Sequence, residues 1–218
     1  MASWAKFKGE NDAFEWLSEQ WANHVQHIDT VAFGGYVPEH NVYAYPKFGV
    51  ANGRISPVNS ENYIRFPHVN IKSAYHDLHI EPNTNLADYR DDWLDDLFTA
   101  WGCNGIILLA YFTSSLMAAQ IRQKQKDFMF LELVGEAGTG KSTLLEFMWR
   151  LMGRPNSYEG FDPSASSQSY IGRSLASVSN MPTVFIEADR ENGSRGRGKA
   201  FDWEETKKLF GGKSPFNR

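Results

Sequence analysis

The chain has 218 residues, of which 42% are hydrophobic and 22% charged, a globular composition that excludes disordered and fibrous proteins. Its formal net charge of −4 excludes a uniformly basic nucleic-acid-binding chain, and its single cysteine, Cys103, excludes a disulfide framework and suits a reducing compartment. The N-terminus lacks the apolar segment of a signal peptide, and the most apolar stretch, residues 105–119, is shorter than a membrane helix of about 20 residues. We therefore expect a soluble, cytoplasmic protein without a membrane partner.

Residues 1–85 are predicted to form a small α+β module. Apolar residues recur at three- and four-residue steps from Ala13 to Gln26, as they do on one face of a helix. From Thr30 to Phe66 short strand-like runs alternate with turns, and Asn52-Gly53 is a typical hairpin turn because both residue types tolerate positive φ. Core packing explains the aromatic residues of this module better than base stacking does; they are Tyr43, Tyr45, Phe48, Tyr63 and Phe66.

Residues 86–126 are predicted to form a helical segment that leads into the second half of the chain. Acidic residues between Asp88 and Asp96 suit the positive end of a helix dipole, so we interpret them as a solvated helix start rather than a metal site. The run Gly102 to Gly105 predicts a break in this segment. Phe128–Val134 then follows, a short apolar run that ends at a glycine, which is typical of a buried parallel strand.

The predicted strand leads directly into the phosphate-binding motif G-x-x-x-x-G-K-[ST], which a predicted helix follows. Gly135, Gly138 and Gly140 would let backbone N–H groups turn toward an anion, and the helix start adds partial positive charge. Lys141 would reach the β- and γ-phosphates of a nucleotide, and the Ser142 hydroxyl would ligate Mg²⁺. The predicted nucleotide-binding residues are Gly135, Glu136, Ala137, Gly138, Thr139, Gly140, Lys141, Ser142 and Thr143.

A second apolar run, Met181–Ile186, ends in acidic residues about 45 residues after Lys141 and has the form of a Walker B strand. Glu187 follows the run immediately and would hold the Mg²⁺ ion. Asp189, or alternatively Glu191, would orient or deprotonate the attacking water. The division of roles among these carboxylates stays open. We predict Lys141, Glu187 and Asp189 as the catalytic residues.

The final 29 residues, 190–218, carry eight basic and four acidic residues, so their charge of +4 leaves −8 for the preceding 189 residues. A basic loop beside an ATPase strand suits the phosphates of DNA or RNA, with affinity that falls as salt rises. The alternative is a solvated loop without a partner. The residues predicted to contact nucleic acid are Arg195, Arg197, Lys199, Lys207, Lys208 and Lys213.

Several of these segments together resemble the helicase half of phage and prophage primase–helicases, which are toprim-containing replication proteins related to superfamily 3 helicases. The resemblance implies a P-loop NTPase fold, a parallel sheet with flanking helices, over residues 127–218. It also implies ATP-driven translocation on single-stranded DNA by a ring, a hexamer, in the cytoplasm of a bacterial cell or phage-infected host. It spans most of residues 45–213, through Tyr45–Val50, the run AAQIRQKQKDF that ends at Phe128, the phosphate loop, Gly153–Pro163, Val178–Glu191 and Phe201–Lys213.

The chain departs from the family pattern at both ends. Family members carry a polar sensor, usually Asn, beyond the last of these segments, and an arginine finger that completes a neighbour's site. We expect the ATPase core to be incomplete at Arg218, before the sensor, and we expect the toprim or primase module upstream of Met1 to be missing. Two other functions stay open: a P-loop phosphotransferase, with Arg190, Arg195 and Arg197 as lid residues, and a nucleotide- and DNA-binding module without turnover.

Overall fold

The computed structural model describes residues 11–22, 25–154, 160–186 and 203–212, and within them the chain is a mixed α/β protein with two mixed sheets. The helices of these residues are α1 (Asn11–Ala22), α2 (Trp93–Ser115), α3 (Ala118–Gln125), α4 (Lys141–Leu151), α5 (Gln168–Ala176) and α6 (Lys207–Phe210). The strands are β1 (Asp29–Val31), β2 (Gly34–Val37), β3 (Val42–Ala44), β4 (Phe48–Ala51), β5 (Arg54–Pro57), β6 (Ile64–Arg65), β7 (Asn70–Ser73) and β8 (Val178–Ser179).

The first half of the chain contains nearly all of these strands, in agreement with the predicted α+β character. One sheet has the order β5-β4-β3-β2-β8, with antiparallel pairs except for the parallel pair of β2 and β8. The predicted hairpin is confirmed, because β4 and β5 pair across Asn52 and Gly53, whose φ angles are 49° and 71°. The second sheet has the order β1-β7-β6. Residues of both sheets form one core cluster, which contains Val37, Val42, Ala44, Ile64, Phe66 and Ile71.

The predicted N-terminal helix is present as α1, but its apolar side chains do not pack into a core. Phe14, Trp16 and Trp21 are all exposed by half or more of their surface. The aromatic residues of the strands behave as predicted for core packing, since Tyr45, Tyr63 and Phe66 are buried. The periodicity therefore predicted the helix correctly, but the apolar face of this helix is exposed rather than buried.

A short strand from the second half of the chain joins the first sheet. β8 pairs with β2 so closely that a side chain on Gly35, whose φ is 131°, would come within 1.9 Å of the Ser179 carbonyl oxygen. The next residue, Asn180, is buried, and its side chain accepts a hydrogen bond from the Ala119 N–H (2.8 Å) and donates to the Leu116 carbonyl (2.9 Å). The two halves are thus connected by a strand pair and a buried amide. The predicted boundaries, 1–85, 86–126 and 127–218, stay predictions.

The second core cluster lies between α2 and α4. Leu97, Leu108 and Phe112 of α2 pack with Leu144 and other residues of α4. The predicted break in this region is present as a kink at Gly102, where φ is 57° and ψ is −144°.

By length and composition alone, the 23-residue α2 could cross a membrane; it overlaps the apolar stretch 105–119 but begins at Trp93. Asp95 and Asp96 lie in its first turn, and its buried residues pack on α4. These contacts agree with a soluble protein, and the cytoplasmic location stays a prediction.

The predicted buried strand Phe128–Val134 is wrong for the structure. These residues form no strand, and Met129 and Val134 are 76% and 81% exposed. A strand needs a neighbour, and no described segment pairs with this one; Phe128 instead packs on Tyr111, with ring centroids 5.5 Å apart. Of the run Met181–Ile186, only Phe185 makes a parallel bridge, to Phe161. The described residues therefore do not form the predicted parallel sheet with flanking helices.

Candidate nucleotide-binding site

The phosphate-binding motif forms a loop that leads directly into α4, as the sequence predicts. Gly138 and Gly140 have φ angles of 82° and 83°, in the left-handed region that favours glycine. The Thr139 hydroxyl donates to the Glu136 carbonyl oxygen at 2.9 Å and so ties the middle of the loop to its start. The glycines of the motif therefore allow the tight turn that the backbone makes here.

The Lys141 ammonium folds back over this loop. Its Nζ donates to the carbonyl oxygens of Gly135 (2.5 Å) and Glu136 (2.7 Å). These acceptors are neutral, whereas a phosphate oxygen is charged and makes a shorter and stronger hydrogen bond with an ammonium. An incoming phosphate would therefore compete well for Lys141, which is already held at the loop.

The start of α4 is suited to an anion for a second reason. Its N-cap residue is Gly140, no side chain caps the helix, and no acidic residue lies in the first turn. The first N–H groups of a helix have no partners within the helix and carry the positive end of its dipole. Ser142 and Thr143 lie in this exposed first turn, where a hydroxyl could reach a phosphate or a bound cation.

The position of α4 is fixed by its buried face. Leu144, Met148 and Trp149 are each at most 2% exposed. The Trp149 ring meets Phe112 of α2 edge-on, with centroids 5.1 Å apart and an interplanar angle of 70°. Because the loop is continuous with this helix, the packing of α4 on α2 holds the loop in place.

Trp101 is a residue of the site that sequence reasoning missed. A methyl group placed on Gly140 would lie 3.4 Å from the Trp101 indole nitrogen, so the indole borders the last glycine of the loop. Among the described residues, the indole N–H has no hydrogen-bond partner. No motif marks this residue in the sequence, because only the packing of α2 on α4 brings it to the loop.

The predicted acidic residues Glu187 and Asp189, and the alternative Glu191, lie outside the described residues. The run that precedes them is held in place: the Phe161 N–H donates to the Val184 carbonyl oxygen at 3.2 Å, and the Ile186 N–H donates to the Phe161 carbonyl oxygen at 3.0 Å. Val184 also packs against the core cluster of α2 and α4. The chain leading to Glu187 therefore contacts the core that α2 and α4 share.

Of the predicted nucleic-acid contacts, Arg195, Arg197, Lys199 and Lys213 lie outside the described residues. Lys207 and Lys208 are exposed on α6, and Lys207 forms an ion pair with Glu204. The helix is tied to α3 because Arg122 donates to the Leu209 carbonyl oxygen at 3.2 Å. Partial burial lowers the pKa of Arg122, whose guanidinium also lies over the Phe128 ring. DNA contact by these lysines stays a prediction.

No metal cluster is found in the described part of the chain, where no three His, Cys, Asp or Glu side chains lie close enough to hold an ion. Comparison with protein-family models, curated protein sequences and solved structures gives no match. Inference about function therefore depends on the loop, the helix that follows it and the residues around them.

Proposed function

We propose that this chain binds ATP through residues 135–143 and is the ATPase module of a phage or prophage replicative helicase–primase protein. ATP hydrolysis would drive translocation on single-stranded DNA, with the protein acting as a hexameric ring. The observation that carries the proposal is the complete phosphate-binding motif at the uncapped start of α4, with the Lys141 ammonium held over the loop. A loop that concentrates N–H donors, a helix dipole and an ammonium is suited to a polyphosphate.

Each predicted residue has a role in this proposal. Lys141 binds the β- and γ-phosphates, and Ser142, which is exposed, would hold Mg²⁺ together with Glu187. When bound, Mg²⁺ would neutralise charge on the phosphates. Asp189, or Glu191, accepts the proton of the attacking water, whose oxygen displaces ADP from the γ-phosphorus. The P-loop NTPase fold is part of the proposal, and the phosphate-binding motif that leads into α4 supports it.

A second function, nucleotide binding without turnover, is favoured by a specific observation. The described residues form no parallel sheet behind the loop, and none of the described strands pairs with the segment that precedes the loop. The carboxylates that catalysis needs depend on such a sheet for their positions. Binding needs only the loop and α4, so it could persist without hydrolysis.

The experiment measures binding of a fluorescent ATP analogue, and phosphate release with and without single-stranded DNA. We expect binding and DNA-stimulated release in the parent chain, loss of binding in Lys141→Ala, and binding without release in Glu187→Gln. Lys124→Ala removes one exposed lysine from α3 and is the matched control.

Different results separate the candidate functions. Binding without phosphate release would favour the second function. DNA-independent transfer of phosphate to a small acceptor would identify a phosphotransferase. Affinity of Lys141→Ala within a factor of two of the parent chain would refute the assignment of the loop.

A further inference from the structure

A cavity of about 280 Å³ lies at the far end of α4 from the phosphate loop. Its walls come from the turn between β3 and β4, from α2 and from α4, and they are almost entirely apolar. Three methionines, Met148, Met152 and Met181, line it. Methionine side chains are flexible and polarizable, so such walls can adapt to an irregular apolar molecule. None of these residues lies in the phosphate loop itself.

One polar side chain in this wall lacks a partner. Tyr45 is only 7% exposed, and no described residue forms a hydrogen bond with its hydroxyl. Its ring is fixed by the turn, because its backbone N–H donates to the Phe48 carbonyl oxygen at 2.8 Å and the two rings lie 4.9 Å apart. Thr113 in the same wall is satisfied, since its hydroxyl donates to the Leu109 carbonyl oxygen. Tyr45 therefore supplies a hydroxyl without a described protein partner at the wall of this half-open, largely apolar pocket.

The size and chemistry of the cavity define what would fit. An apolar cavity of about 150 Å³ already holds benzene, and this one is nearly twice that volume. Ligand sites typically combine apolar walls with a few polar groups that fix orientation, and Tyr45 is such a group.

We propose that this cavity binds a small, largely apolar molecule that carries one hydrogen-bond acceptor, such as a ketone on a single ring, and that the Tyr45 hydroxyl donates to that acceptor. Burial, with a smaller contribution from Tyr43, raises the pKa of this phenol, so the hydroxyl remains a neutral donor at physiological pH. The proposal is independent of the nucleotide site.

The test compares acetophenone with α-methylstyrene. The two molecules have nearly the same shape, but α-methylstyrene carries a CH₂ group in place of the carbonyl oxygen. The chain carries six methionines, and ¹³C-methyl labelling makes each a reporter in NMR spectra. We expect acetophenone to shift the signals of Met148, Met152 and Met181, while those of the exposed Met117 and Met129 stay in place. Acetophenone should bind about fivefold more tightly than α-methylstyrene, the difference of one net hydrogen bond.

Tyr45→Phe keeps the ring and removes the donor, so it should abolish the preference for acetophenone. Tyr89→Phe removes a hydroxyl from an exposed tyrosine and should leave the preference unchanged. Absence of shifts at the three cavity methionines, or equal shifts at Met117 and Met129, would overturn the proposed site. An undiminished preference in a folded Tyr45→Phe protein would overturn the role of the hydroxyl.

Discussion

Alanine at Gly138 should weaken nucleotide binding through backbone conformation alone. The φ angle of Gly138 is 82°, and a Cβ atom placed there meets nothing within 4 Å, so no collision contributes. An L-residue in this region costs about 1–2 kcal/mol. The loop can escape this strain by leaving the left-handed region, but nucleotide binding must then restore the original path at that cost. Because about 1.4 kcal/mol corresponds to a tenfold change in affinity, this cost predicts a loss of affinity of about 5- to 30-fold.

Gly53 provides a matched control in the β4–β5 turn. Its φ is 71°, and a Cβ atom there also meets nothing within 4 Å. At both positions alanine disfavours the left-handed conformation. It also makes the unfolded chain less flexible, which stabilises the folded state by about 0.4–1 kcal/mol. The net destabilisation is therefore at most about 1.6 kcal/mol in each, or at most about 6 °C in melting temperature for a chain of this size.

Titration with a fluorescent ATP analogue and thermal unfolding measure the two effects separately. We expect Gly138→Ala and Gly53→Ala to unfold at similar temperatures, with only Gly138→Ala losing affinity. If Gly138→Ala binds within a factor of two of the parent chain, the left-handed conformation of the loop is not required for binding. Equal losses of affinity in the two variants would mean that general destabilisation, rather than the loop, is responsible.

Three further predictions follow from the contacts of Trp101, Asn180 and Tyr45. Nucleotide should change the fluorescence of the Trp101 indole, which borders Gly140, so Trp101→Phe should remove most of the nucleotide-dependent signal; a signal of unchanged size would contradict this position. Asn180→Ala should lower the free energy of unfolding in urea by about 2 kcal/mol, because buried backbone groups lose a partner, and Asn180→Gly should lower it less since φ there is 51°. The raised pKa of Tyr45 means that the folded state keeps a proton that the unfolded state releases near pH 10, so unfolding free energy should fall above that pH. Tyr45→Phe should make this alkaline decline shallower in pH-dependent urea unfolding, and an unchanged slope would refute the assignment.

The parts of the structure that the sequence predicted correctly are those that local residues determine. Positive φ at Asn52-Gly53 sets a hairpin, and the glycine spacing of the loop with the periodicity of Leu144 and Met148 predicts a turn followed by a helix. Features that need a distant partner were not predictable. The apolar composition of Phe128–Val134 favours a strand, but composition does not supply the neighbouring strand. The pairing of β8 with β2 and the approach of Trp101 to Gly140 likewise depend on packing between segments far apart in the chain.

The two sides of the phosphate loop differ in how firmly they are held. Before the loop, Met129 and Val134 are largely exposed, and Phe128 packs on Tyr111 of α2. After the loop, α4 buries its apolar face against α2, and its first turn provides both the ammonium and the unpartnered N–H groups. The geometry of this candidate site is therefore set from the helix side. Changes in the packing of α2 on α4 should affect nucleotide affinity more than changes at the exposed side chains of Phe128–Val134.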